Sequence, residues 1–298
     1  THNCKILFLG DKYQLTMPFS KSCPVFERGF RTAVLTISER TRAIGGNDSL
    51  IARMAEAYCA AIDGAPFPVL ETDGKTIIAI SGPEFKQLVN AEFSRPERKD
   101  TDAKILAWSN KTVQAYNQYV RCELLGYVEA PQVGETVISN STLLDYGITT
   151  DQRYQITQVN VSALQGFEGW QVTLGQRRTV FVPRDWAAVN ATLKQLYKEK
   201  NFHRYFGIRK AFADLRSPYA GTVHKAQGST FHTVFLDLGD IGRCTIASDT
   251  ARMLNTGISR AAQRVYLYGQ LPARYLPSTA PSHGGTTVCQ FLPNTSLI

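Results

Sequence analysis

The sequence predicts an α/β fold, a doubly wound parallel sheet with a small antiparallel β-barrel inserted in it. Two observations carry this. Up to residue 126, and again after 187, short apolar runs alternate with segments of helical period, and parallel strands need crossovers of that kind. Between Tyr127 and Trp186 the helical period lapses, and the β-rich pieces ETVIS, YQITQV, WQVTL and RTVFV follow one another at short spacing.

The elements follow in order. CKILFL, 4–9, reads as a buried strand running into Gly10-Asp11-Lys12-Tyr13-Gln14-Leu15, which puts a carboxylate and an amide at the carboxyl edge of a sheet, where α/β proteins bind ligands. A lone strand cannot bury both its faces, so the chain is expected to begin in the middle of a domain. AVLTI, 33–37, reads as a strand followed by Ser38-Glu39-Arg40-Thr41-Arg42. Asp48 is the expected cap of a helix that carries Ile51, Met54, Tyr58 and Ile62 on one face and stops at Gly64-Ala65-Pro66. A strand at 76–80, a helix near 83–91 and a strand at 104–108 follow. The next helix aligns Val113, Tyr116, Val120 and Leu124 and is closed by Gly126. Helices are expected at 187–200 and 202–215, with a basic and aromatic surface that includes Lys194, Lys198, Arg209 and Lys210. TVFLDLGD, 233–240, reads as a buried strand. Thr250–Ala262 reads as a helix with Arg260 near its end, and RVYLYG, 264–269, as a strand; from Leu271 on the chain has no periodicity.

Bulk properties narrow the function. At 298 residues, with 43% hydrophobic and 19% charged residues, the chain is globular and long enough for two domains. A net charge of +8, spread without a single basic run, favours a polyanionic partner, nucleic acid being the commonest. The six cysteines form no CxxC pair, which excludes a zinc knuckle and fits reduced thiols in a cytoplasmic protein. No apolar run reaches the length of a membrane span, so no membrane partner is expected.

The chemistry concentrates in Tyr219–Thr230, YAGTVHKAQGST. An ordinary turn needs small residues but not several donors. This one sets Thr222, His224, Lys225, Gln227, Ser229 and Thr230 around Gly228, which suits the gripping of phosphates: hydroxyls and amides for oxygens, a cation for charge, a glycine for close approach.

Together these pieces resemble superfamily-one DNA helicases, most closely the Dda-type phage and RecD-type branch. Gly10–Leu15 looks like the family's third motif, and LTISERTR like its fourth, with Arg40 as the essential arginine. ILAWSNKTVQAYN, 105–117, is similar to the element that opens the second motor domain. TVHKAQGST matches the fifth motif, and LNTGISRA the sixth, with Arg260 at its arginine. The barrel-like stretch lies where this branch carries an SH3-like subdomain. The sequence has no G-x-x-x-x-G-K-[ST] loop and no apolar strand ending in Asp-Glu, both of which the family places in its first RecA-like domain.

The resemblance implies a RecA-like fold of the P-loop NTPase type. Residues 1–30 would be the last strand and exit of a first motor domain otherwise absent, 31–126 and 187–270 the second motor domain, 127–186 the insertion and 271–298 an irregular tail. It implies ATP with Mg²⁺ as cofactor, Arg40, Arg260 and Gln14 as catalytic residues, and these with Gln227 and Gly228 as the ATP-binding set. Ser109, Asn110, Lys111, Thr222, His224 and Lys225 would hold DNA. Partners would be single-stranded or tailed duplex DNA, the missing first motor domain and replication or repair proteins, in a bacterial or phage-infected cytoplasm with 5′-to-3′ movement. Alone, the polypeptide is expected not to hydrolyse ATP. Rival classes are a non-enzymatic nucleic-acid binding module and a translocase that does not separate strands.

Overall fold

The computed structural model describes residues 5–15, 24–128 and 130–276. In chain order it has helix α1 (Leu50–Ile62), strand β1 (Ile77–Ile80), α2 (Gly82–Phe93), β2 (Ala103–Ala107) and α3 (Asn110–Gln118). Then come β3 (Thr136–Ser139), β4 (Arg153–Leu164), β5 (Phe167–Leu174), β6 (Arg178–Pro183), α4 (Trp186–Lys198), α5 (Phe202–Ala211) and β7 (Leu215–Arg216). The chain closes with β8 (Ala220–Thr222), β9 (Phe231–Asp237), α6 (Ala247–Ser259) and β10 (Ala261–Tyr268). These group into two units, one of the described residues up to Tyr116 and from Ala220 on, the other Asn117–Tyr219.

In the first unit five strands pair in the order β1-β10-β9-β2-β8, every pair parallel. Alternation along each strand splits its side chains between two faces. Leu106, Val234, Leu236, Val265 and Leu267 share one core with Met54 and Tyr58 of α1 and Leu254 and Ile258 of α6. On the other face Phe85 of α2 stacks on Tyr268 at 4.5 Å and meets Phe235 edge-on at 5.9 Å and Tyr116 of α3 at 5.5 Å. Helices cover both faces, so the unit is the doubly wound α/β sheet the sequence predicts. Gly257 allows α6 its close approach: a Cβ there would lie 2.7 Å from Leu236 Cδ1.

Local signals set the helix starts. Ser81 and Glu84 form a reciprocal capping box at α2. At α1 the cap is Ser49, whose Oγ accepts the Ala52 N–H at 3.2 Å, and not Asp48, which ends the preceding 3₁₀ turn. Asp73 organises the turn into β1. Desolvation raises its pKa, but hydrogen bonds from the Thr76 hydroxyl and the N–H groups of Lys75, Ile77 and Thr76 outweigh this and lower it to about 2. A lowered carboxyl pKa stabilises the fold above the unfolded value and ceases to do so as pH falls through the folded one. Asp73→Ala is therefore expected to cost about 1 kcal/mol at neutral pH, solvent exposure included, and nothing below about pH 2, as read by urea unfolding at both pH values.

Two expected strands are absent. Residues 5–9 and 33–37 are irregular, with Leu9 87% and Leu35 96% exposed; Cys4 lies outside the described residues. An apolar run becomes a strand only beside another strand, and neither run pairs with the parallel sheet. The strand expected to reach Asp240 stops at Asp237, where residues 238–241 wind into a helical turn. Of the expected tail, Tyr275 is buried in the core of this unit, and residues 277–298 lie outside the described residues.

The second unit is a five-stranded sheet in the order β6-β5-β4-β3-β7, with every pair antiparallel. Glu135, 2% exposed, takes a two-pronged ion pair from Arg121 Nε and Nη2. The sequence assigns α4 and α5 to the motor domain, yet they group with this sheet, Val189, Leu196 and Ile208 packing with Phe181 and Phe212. The helix expected to reach residue 215 ends at Ala211, because Leu215 and Arg216 pair with Ser139 and Ile138 as β7.

Candidate nucleotide and nucleic-acid site

The site residues of the first unit lie at the carboxyl ends of β2 and β8, in the loop leading into β9, where α6 passes into β10, and, for Gln14 and Arg40, in irregular segments before α1. Arg260, the first residue beyond α6, is 2% exposed. Its guanidinium donates to Thr256 O at 3.2 Å, Ser229 O at 3.4 Å and Ser259 Oγ at 3.0 Å, all neutral acceptors. Arg40 reaches the same two segments, its Nε donating to Thr230 Oγ1 at 2.9 Å and its Nη1 to Ser259 O at 2.5 Å. Burial lowers the Arg260 pKa to about 10; the charge of Arg40 adds to that, and Asp11 partly offsets it. Burial also lowers the pKa of Arg40. Neither arginine has an ion-pair partner among the described residues.

Gln14 enters through Asp11, whose carboxylate accepts from the Gln14 amide at 3.2 Å and the Tyr13 N–H at 2.9 Å. Arg252 of α6 fastens this turn by donating to the carbonyls of Lys12 and Gln14. The structure thus brings Arg40 and Arg260 together and places Gln14 beside a carboxylate whose field reaches Arg260. Sequence reasoning missed Arg252, which nothing local marks out from a surface helix residue.

The loop after β8 is a chain of turns. Thr222, opposite Ala107 of β2, accepts the Lys225 N–H on its Oγ1 at 3.2 Å and the Ala226 N–H on its carbonyl at 3.1 Å. The Gln227 N–H donates to His224 O, and Gly228 adopts φ +85°, a conformation few other residues take. His224, Lys225, Gln227 and Gly228 are exposed. Desolvation on its packed side lowers the His224 pKa, against the pull of Asp249.

Beyond β2, the Asp240 carboxylate accepts from the N–H groups of Trp108 (2.8 Å) and Ser109 (2.6 Å) and from the hydroxyls of Ser109 (2.9 Å) and Thr112 (2.8 Å). The Ser109 hydroxyl also accepts the Thr112 N–H at 3.2 Å. Ser109 is therefore committed to shaping its own turn, whereas Asn110 and Lys111 stand exposed at the start of α3. Trp108 packs partly against the core. The sequence reads Asp240 as the end of a strand and so misses this anchor. Among the described residues no cluster of three or more His, Cys, Asp or Glu is placed to hold a metal ion, and no helix is long and apolar enough to cross a membrane. Cys59, Cys122 and Cys244 are free thiols; Cys4, Cys23 and Cys289 lie outside the described residues.

Residues 218–268, from β8 and the loop after it through Arg260 to the end of β10, match the family described as UvrD-like helicase C-terminal domain. No curated protein matches the chain by sequence. Among solved structures, Pif1 helicase from Candida albicans matches at 14% identity and a TM-score of 0.39, over 90% of this chain and 64% of that one. Pif1 helicase from Bacteroides, solved with ADP-AlF3 and ssDNA, matches at 11% identity and a TM-score of 0.36, over 77% of this chain and 51% of that one. The chain thus spans less than two thirds of either structure. With its motifs in helicase order and 218–268 matching that family, the parallel-sheet unit is similar to the second motor domain of superfamily-one helicases.

Proposed function

We propose that this chain is the second motor domain, with its insertion, of an ATP-dependent DNA helicase. The observation that carries the reading is Arg260, a guanidinium 2% exposed, hydrogen-bonded to neutral groups alone and next to a second arginine. Two like charges desolvated together are unfavourable unless an anion joins them, and guanidinium forks suit phosphate oxygens. The residues present therefore fit a nucleoside triphosphate, which supplies, when bound, the phosphoanhydride whose cleavage drives the motor. Arg40 and Arg260 would hold the terminal phosphate and stabilise charge there. Gln14 would sense whether that phosphate is present, and Gln227 and Gly228 would relay its state to the DNA-binding loop. His224, Lys225, Asn110 and Lys111 would grip single-stranded DNA by its phosphates, with Ser109 and the buried Thr222, which accepts the Lys225 N–H, shaping the turns. The phosphate loop and Mg²⁺ ligands belong, in this reading, to a first RecA-like domain, and the antiparallel unit to an SH3-like insertion.

Residues 1–298 alone are expected to show background ATPase, and robust, DNA-stimulated ATPase when joined to a first motor domain. The deciding experiment gives the two-domain protein ATP with duplexes carrying a 5′ or a 3′ tail. Separation of the 5′-tailed duplex alone is the expected result, in keeping with the branch. ATP hydrolysis without separation of either would replace the helicase with a translocase. Salt-dependent DNA binding without hydrolysis would leave a binding module only.

A further inference from the structure

We propose that the exposed face shared by α4 and α5 is a separate platform for unpaired nucleic acid, binding it by stacking bases on aromatic rings flanked by cations. The inference concerns the antiparallel unit and does not rest on the reading of Arg40 and Arg260. Helix α5 buries only Ile208. Phe202 and Phe206, one turn apart, lie on the side opposite to Ile208, at 44% and 51% exposure. Neither belongs to the core cluster of the unit. Tyr197 of α4, 62% exposed, joins them: its ring lies 5.9 Å from Phe202 and 6.0 Å from Tyr205, and Tyr205 lies 5.2 Å from Phe206. Tyr205, half-buried against the core of the unit, links the three exposed rings through edge-on and tilted contacts.

The charges on this face have one sign. Lys194, one turn before Tyr197, and Lys198, next to it in sequence, lie to one side of it on α4, Arg209 and Lys210 follow Phe206 on α5, and all four are exposed. Arg209 leans over the Tyr205 ring at 5.7 Å. Glu199, the lone carboxylate within 186–211, falls on the far side of α4 and is bound by Gln195 at 2.8 Å. None of the four cations forms an ion pair among the described residues. An apolar partner would leave these charges uncompensated, and an acidic protein would not need the ring faces. A duplex keeps its bases stacked within, whereas an unpaired strand offers phosphates to the cations and bases to the rings, largely independent of sequence.

The test measures binding of fluorescent oligothymidylate, oligouridylate, a blunt duplex and polyglutamate to the intact chain by anisotropy, for the parent, Tyr197→Ala/Phe206→Ala and Lys194→Glu/Lys198→Glu. Both substituted pairs are exposed, so unchanged melting is the control for folding. The aromatic pair is expected to weaken single-strand binding by about tenfold or more and duplex binding hardly at all, and the charge pair to flatten the salt dependence. DNA and RNA strands losing affinity alike would support the platform for either sugar; loss for one alone would support it for that strand. Photocrosslinking with 4-thiothymidine is expected to label Tyr197, Phe202 or Phe206, which a purely structural role would not produce. Single-strand affinity unchanged in the aromatic pair, with crosslinks confined to the first unit, would overturn the proposal. So would equal losses for polyglutamate and oligothymidylate in the charge pair with no effect of the aromatic pair, since the face would then be an electrostatic surface for acidic proteins.

Discussion

Arg260→Ala is expected to lower the DNA-stimulated ATPase of the two-domain protein by about a thousandfold, the scale for removing an arginine that stabilises charge in phosphoryl transfer. Nucleotide affinity is expected to fall far less, because the interaction matters most as charge develops. Arg260→Lys is expected to recover little, since an ammonium cannot present the planar fork that engages two oxygens. Stability separates this role from a structural one. The guanidinium is buried without a direct ion pair beside Arg40, and burial lowers its pKa to about 10, Asp11 offsetting only part of the shift. Replacing it with a flexible apolar side chain removes that cost. Arg260→Met is therefore expected to melt no lower than the parent while turnover is lost. A marked fall in Tm with turnover preserved would make Arg260 a helix-end cap for Thr256 O and Ser229 O and nothing more.

The sequence displays the parallel sheet because its strands are buried on both faces and its crossover helices bury one. Ile105 and Leu106 of β2 and Phe235 and Leu236 of β9 all lie inside, while α1 hides Ile51, Met54 and Tyr58 and shows its other side to water. Such patterns are local. Whether an apolar run finds a neighbour is not, which is why residues 5–9 and 33–37 read like β2 yet form no ladder. The apolar stripe of α4, with Val189 and Leu196, likewise announces a buried face without saying which sheet covers it. Within the site, the positions of Arg40 and Arg260 stand out through their motifs, but their convergence on the segments around residues 229–230 and 259 exists only in three dimensions. Asp240 was illegible for the same reason, its partners lying 128 to 132 residues away in the chain.

That separation makes Asp240 the residue whose loss is expected to destabilise the first unit most. Its carboxylate, 5% exposed, joins the end of β9 to the turn between β2 and α3, neighbouring strands of one sheet. Alanine there strands the N–H groups of Trp108 and Ser109 and the hydroxyls of Ser109 and Thr112. The hydroxyls can turn to other acceptors, but the two N–H groups are fixed, and each buried donor left without a partner costs about 1–3 kcal/mol. Asp240→Ala is therefore expected to lower stability by about 3–5 kcal/mol in urea unfolding, a large share of a typical 5–15 kcal/mol. Asp240→Asn retains a carbonyl for the N–H groups and offers its amide to the hydroxyls, so about half that loss is expected. In Asn the turn survives, and the single-strand binding proposed for Asn110 and Lys111 is expected to survive with it. A similar small loss for both variants would mean that the N–H groups of Trp108 and Ser109 find water or another acceptor without Asp240, and that the turn is held by its own Ser109–Thr112 bonds.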